Sequence, residues 1–148
     1  MKIAIGCDHG AIEYKDKLVK ELKDKGYQVK DFGCYNTNSV DYPDYSKLVA
    51  KAVSNNEYDK GIVLCGTGIG VSIVANKFDN IRCALVNDPE VAIITREHND
   101  SNVLAMGARV IDYDTCLKIT NNWLETKFTN EKRHIDRINK IKEIENER

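Results

Sequence analysis

Gly61-Ile62-Val63-Leu64-Cys65-Gly66-Thr67-Gly68-Ile69-Gly70 is the stretch that decides how this chain folds. Its first half is a continuous apolar run, the pattern of a strand covered on both faces in a parallel sheet. Its second half places glycines at 66, 68 and 70, so backbone N–H groups can turn toward a ligand just ahead of a short helix expected to reach Asn76. The positive end of that helix favours an anion, and the same field favours a thiolate at Cys65. One loop thereby offers both a base and an anion hole. A tight strand-to-helix turn around a buried structural cysteine would use the same residues, and the loop alone leaves that alternative open.

Outward from this loop, short apolar runs alternate with longer amphipathic stretches. Residues 2–7 form an apolar run that breaks at Asp8-His9-Gly10. Residues 11–25 put Ile12, Leu18, Val19 and Leu22 on one helical face, and Gly26 stands where a C-cap glycine belongs. A second strand is expected over 27–32 and a helix over 44–54. Beyond the glycine loop the pattern predicts a strand at 81–86 and a helix opened by Asp88-Pro89 and running to Glu97. Another strand falls within 102–111 and another helix within 114–126. Five strand-helix units in series imply a Rossmann-like three-layer α/β/α sandwich around a five-stranded parallel sheet. With no linker or repeat, residues 1–148 form a single domain. The charged segment at about 127–148 carries Ile135, Ile138, Ile141 and Ile144 at spacings of three. It is expected to be a C-terminal helical arm docked on a partner subunit, because so narrow a stripe does not stabilise an isolated helix.

Composition narrows the function classes. The chain has 148 residues, 42% hydrophobic and 30% charged, with a formal net charge of -1. That charge draws it neither to nucleic acid nor to acidic lipid, and no apolar run approaches the ~20 residues of a membrane span. The five cysteines, at 7, 34, 65, 83 and 116, form no C-x-x-C pair. They suit free thiols in a reducing, cytoplasmic compartment better than disulfides or a zinc site.

Ligands of open parallel sheets bind beyond the carboxyl ends of the strands. Candidates there are Cys7, Asp8 and His9 after the first strand, the loop from Cys65 to Gly70 after the third, and Arg109 after the fifth. His98 and Asn99, which close the fourth unit, are expected on the same edge. Each histidine alone reads more simply as a surface or cap residue, and Asp8 alone as a helix cap. Arg133 and Arg137 share a helix face and can clamp a phosphate; alone they read as solvated. The loop is not a dinucleotide fingerprint, since the third glycine of G-x-G-x-x-G comes one position early and Val71 occupies its place. It also lacks the Lys-Ser/Thr of a P-loop. Asp88, near where a ribose-binding acid would fall, keeps a flavodoxin-like nucleotide-binding module as the alternative of another class.

Taken together, several segments resemble the ribose/galactose isomerase family, which holds the type B ribose-5-phosphate isomerases and the galactose-6-phosphate isomerase subunits. They are Gly6-Cys7-Asp8-His9-Gly10, Asp41-Tyr42-Pro43, Leu64 to Gly70 with Ala75-Asn76-Lys77, Arg96 to Arg109, and Arg133-His134 with Arg137. The resemblance implies interconversion of D-ribose 5-phosphate and D-ribulose 5-phosphate in the non-oxidative pentose phosphate pathway, with no metal or organic cofactor. It makes Cys65 the catalytic base, with Val71 where another branch of the family carries a glutamate base. It makes Gly66, Thr67, Gly68, Ile69 and Gly70 the anion hole, and His98 the residue that helps open the furanose ring. Thr67 joins the catalytic set and, with Asp8 and Asn99, lies near the sugar hydroxyls; Tyr42 lies near the sugar. His9, Arg109, Arg133 and Arg137 take the phosphate. The resemblance further implies a homodimer, or a tetramer of such dimers, with the site shared between subunits. Allose 6-phosphate and galactose 6-phosphate are the alternative substrates.

Overall fold

A computed structural model describes residues 1–147 of the chain. The elements follow the expected alternation: β1 (Lys2–Cys7), a single 3-10 turn (His9–Ala11), α1 (Ile12–Asp24), β2 (Gln28–Asp31), α2 (Tyr42–Ser54), β3 (Lys60–Cys65), α3 (Ile69–Ala75), β4 (Cys83–Leu85), α4 (Pro89–Asn99), β5 (Val103–Gly107), α5 (Tyr113–Glu125) and α6 (Lys132–Asn146). The strands form one five-stranded sheet in the order β2-β1-β3-β5-β4, and every pair is parallel. This is the three-layer α/β/α architecture that the alternating pattern implied.

Side-chain alternation divides the core in two. Ile3, Ile5, Ile62, Leu64, Leu104 and Met106 face α1, α4 and α5 and pack with Leu18, Leu22, Ile119 and Trp123. Ala4, Val63, Cys65, Val103 and Ala105 face α2 and α3 and pack with Val49, Val53, Val71 and Ala75. The second layer is built from small residues because α2 comes close to the sheet. A Cβ on Gly61 would stand 2.8 Å from Val49 Cγ1. Each fully buried Leu or Ile contributes about 2 kcal/mol through apolar area removed from water. Trp123, with no exposed surface, also satisfies its indole N–H, which donates to Ser101 Oγ at 2.8 Å.

Capping explains several element boundaries. Gly26, at φ 90°, ends α1: its N–H donates to Lys23 O, and the Tyr27 N–H donates to Leu22 O, the Schellman arrangement. Asp88 caps α4, its Oδ1 accepting from the Glu90 N–H at 2.7 Å. Three of the departures from the expected boundaries have a local cause. Helix α2 begins at Tyr42 rather than 44, because Pro43 fits the first turn of a helix, where no N–H is needed. Helix α4 continues past Glu97 to Asn99 and stops where Asp100 turns left-handed at φ 44°. The strand expected over 81–86 is only three residues long, because Arg82 turns aside to donate its N–H to Asn102 Oδ1.

Helix α6 lies against α4. His134 is its one buried side chain, and Ile135, Ile141 and Ile144 remain exposed. Glu145 ties its far end to the Asn80 N–H at 3.0 Å. No helix among the described residues is long and apolar enough to cross a membrane.

Candidate active site

From β1 the chain moves outward to β2, then returns past β1 to β3 on its other side. This reversal opens a crevice at the carboxyl ends of β1 and β3, where ligands of such sheets bind. The two strand-end loops are joined there by the Asp8 N–H, which donates to Leu64 O at 3.1 Å. Asp8 Oδ1 accepts from the Gly10 N–H at 2.8 Å, so its cap role is real and one carboxylate oxygen is committed to it. The loop after β5 joins them through the Ala108 N–H to Cys65 O and the Arg109 N–H to Gly66 O, each 2.9 Å. Arg109 thus lies across the glycine loop. A Cβ on Gly66 would be 3.2 Å from Arg109 Nη1, and one on Gly10 would be 3.5 Å from Nη2. Glycine at both positions leaves room for the guanidinium beside Asp8.

Cys65 closes β3 with its side chain turned into the sheet–helix layer, only 5% exposed. Its Sγ accepts a hydrogen bond from the Gly68 N–H at 3.0 Å. That bond needs Gly68 at φ 78°, and a Cβ there would lie 2.6 Å from Leu85 Cδ1 and 2.8 Å from the Met106 carbonyl carbon. Thr67, exposed beside it, accepts from the Ile69 N–H at 3.3 Å. The N–H groups of the first turn of a helix have no intrahelical acceptor, which leaves Gly70 a free donor at the start of α3. The Tyr42 ring lies directly on Gly70, where a Cβ would meet its Cζ at 2.6 Å. His9, half-buried, accepts from the Val40 N–H at Nδ1, 3.1 Å away.

The remaining candidates are elsewhere. His98 and Asn99 were expected on the edge that holds Cys65, and a single chain does not bring them there. A helix that follows a parallel strand runs back along it, so the last turn of α4 returns to the start of β5. Five residues of strand separate the two ends of β5, about 16 Å at ~3.3 Å per residue. Asn99 O accepts from Arg82 Nε at 3.0 Å at that opposite edge. The His98 ring stacks on His134 with centroids 4.4 Å apart and planes 17° from parallel. Burial and the neighbouring His98 push the His134 imidazole below its usual range, so the buried ring is held neutral. Arg133 pairs with Glu131 at 2.8 Å, and Arg137 stands one turn on along α6. The structure therefore divides the candidate residues into two groups, each a candidate half-site: Cys65, Thr67, Asp8, His9, Tyr42 and Arg109 at one edge, and His98, Asn99, Arg133 and Arg137 at the other.

Residues 3–141 match the family model described as Ribose/Galactose Isomerase. This chain belongs to that family. Among solved structures it is similar to the ribose-5-phosphate isomerase B of Clostridium thermocellum, with a TM-score of 0.97 and 48% identity over 99% of each chain. It is 42% identical to the ribose-5-phosphate isomerase B of Escherichia coli, over 99% of this chain and 98% of that protein. It is 40% identical to the galactose-6-phosphate isomerase subunit LacB of Clostridium acetobutylicum, over all of this chain and 86% of that protein.

Two contacts among the candidate residues escaped the sequence. The Val40 N–H that reaches His9 is one, since a backbone group in a polar loop leaves no motif. The stacking of His134 on His98 is the other, since the two residues are far apart in sequence. A histidine next to the arginine pair was the only local signal for it.

Proposed function

We propose that the chain interconverts D-ribose 5-phosphate and D-ribulose 5-phosphate by cofactor-free proton transfer through an enediolate, with Cys65 as base. The observation that carries this reading is the Gly68 N–H on Cys65 Sγ at 3.0 Å, in a crevice that Arg109 crosses. A thiolate there can take the proton from C2 of the open-chain aldose. The charge then passes to the oxygen on C1, where preorganised donors of the glycine loop such as the Gly70 N–H stabilise it. Transfer of the hydroxyl proton from O2 to O1 moves the charge to the oxygen on C2, and return of the proton from Cys65 Sγ to C1 then gives the C2 ketone. Asp8, Thr67 and Tyr42 flank the sugar, and His9 and Arg109 hold the phosphate.

His98, Asn99, Arg133 and Arg137 enter this scheme from a second copy of the chain, His98 to assist opening of the furanose and the arginines to complete the phosphate clamp. Support for a homodimer comes from the separation of the half-sites within one chain. It also comes from Ile69, Ile73, Leu85, Val91 and Ile94, apolar yet exposed on α3, β4 and α4 at one end of the sheet. All five cysteines are free, which suits a cytoplasmic enzyme.

Removing the base tests the proposal. Cys65→Ala is expected to lower kcat by about 10²–10⁴ while KM for ribose 5-phosphate stays close to that of the wild type; near-normal turnover would sink the role given to the thiol. A six-carbon substrate is the second reading, favoured by the likeness to a galactose-6-phosphate isomerase subunit. Comparing kcat/KM for ribose 5-phosphate, allose 6-phosphate and galactose 6-phosphate decides it: the pentose is expected to lead.

A further inference from the structure

We propose that the backbone N–H of Val40 fixes the tautomer of His9, so that this histidine presents its Nε2–H to the ligand. The contact is Val40 N–H to His9 Nδ1 at 3.1 Å. A backbone N–H can only donate, so Nδ1 must present a lone pair, and the single proton of the neutral ring resides on Nε2. No residue among those described accepts from Nε2, which leaves that N–H for a ligand.

The segment between β2 and α2 is organised around this contact. Its first residues are pinned to the end of β1, two positions before His9: the Cys7 N–H donates to Gly33 O at 2.6 Å and the Cys34 N–H to Cys7 O at 2.8 Å. The Cys34 thiol then donates to Asn36 O at 2.9 Å, and Asn36 Oδ1 accepts from the Asn38 N–H at 3.1 Å. The chain curls on itself and delivers Val40, half-buried, onto the imidazole. Val40 is a positioning residue through its backbone.

The consequence for binding follows from the chemistry of phosphate. Its oxygens accept hydrogen bonds, and a ring that aimed the Nε2 lone pair at them would repel them. Choosing the tautomer before the ligand arrives removes the cost of choosing it during binding. The inference rests on the isomerase reading only for the ligand being a sugar phosphate; the tautomer itself is a property of the free protein.

Nitrogen-15 NMR of the full chain labelled at histidine tests it directly. There are three histidines, and His9→Asn identifies the signals of the first. His9 is expected to show a pyridine-like Nδ1 and a pyrrole-like Nε2 before and after addition of inorganic phosphate. The reversed pattern, or averaged nitrogens in the free protein, overturns the proposal. Val40→Pro deletes the N–H and Val40→Ala keeps it. The proline variant should lose the fixed tautomer and raise KM for ribose 5-phosphate roughly fivefold to tenfold with kcat little changed, and alanine should restore both. A folded proline variant with the wild-type spectrum and KM also overturns it. If proline prevents folding, the spectrum of the wild type still decides. A fixed tautomer in a protein inactive on ribose 5-phosphate would refute the pentose-phosphate reading and leave this one standing.

Discussion

Two lysines, Lys15 buried and Lys60 half-buried, show how the fold handles charge. Lys15, 1% exposed, is opposed by burial, yet its hydrogen bonds to Asp31 at 2.7 Å and Asp16 at 3.0 Å outweigh it and raise its pKa. Among the described residues no carboxylate is hydrogen-bonded to Lys60, and the more distant Asp100 and Asp59 oppose the shift only weakly. Burial, with Arg96 beside it, pushes the Lys60 ammonium down to about 8, and the Trp123 ring 5.7 Å from Nζ offers the charge its nearest stacking surface. Below pH 8 the lysine is protonated in both the folded and the unfolded chain, and the fold carries the full penalty. Between about 8 and the ordinary lysine value of 10.5 the unfolded chain holds more protons than the folded one, so stability rises with pH. Lys60→Met should therefore raise Tm at pH 7, and the gain should shrink as the pH approaches 10. A gain that grew with pH would contradict this account.

At the scale of elements, the join between β3 and α3 bears the most constraint. Gly68 there has positive φ and meets Leu85 and the Met106 backbone, whereas Gly26 after α1 has φ 90° with nothing within 4 Å of a built Cβ. Both positions charge an added Cβ for the left-handed conformation, about 1–2 kcal/mol. Only Gly68 adds a collision with backbone that cannot move aside. Urea unfolding should show Gly26→Ala losing about 1–2 kcal/mol and Gly68→Ala losing clearly more; equal losses would mean the turn, not the packing, sets the cost. Gly68→Ala should also depress kcat, since the displaced N–H no longer reaches Cys65.

The whole molecule raises the question of where its second half-site comes from. In a two-fold dimer, Cys65 of one copy and His98 of the other would form each site. Mixing Cys65→Ala and His98→Asn proteins, each nearly inactive, gives hybrids with one doubly damaged site and one intact site. With half the dimers hybrid and one good site in two, activity should recover to about a quarter of wild type. Absence of recovery in verified hybrids would place the two residues in the same chain's site.

The sequence by itself determined the class of fold and which candidate residues gather at the carboxyl edge of the sheet. Apolar runs, helical faces, Gly26 and Asp88 are local signals, and five strand-helix units leave few arrangements other than a parallel sheet. Cys65, the glycines, Asp8, His9 and Arg109 were legible because parallel strands bring all their carboxyl ends to one edge, whatever their order. The strand order, the two-residue shift at Tyr42, the Val40 contact and the pairing of His98 with His134 came only from the tertiary structure. His98 and Asn99 show why. Their place depends on the direction in which α4 runs back along the sheet, a consequence of chain path rather than residue type, and it sets them a strand's length from the thiol that the sequence had put beside them.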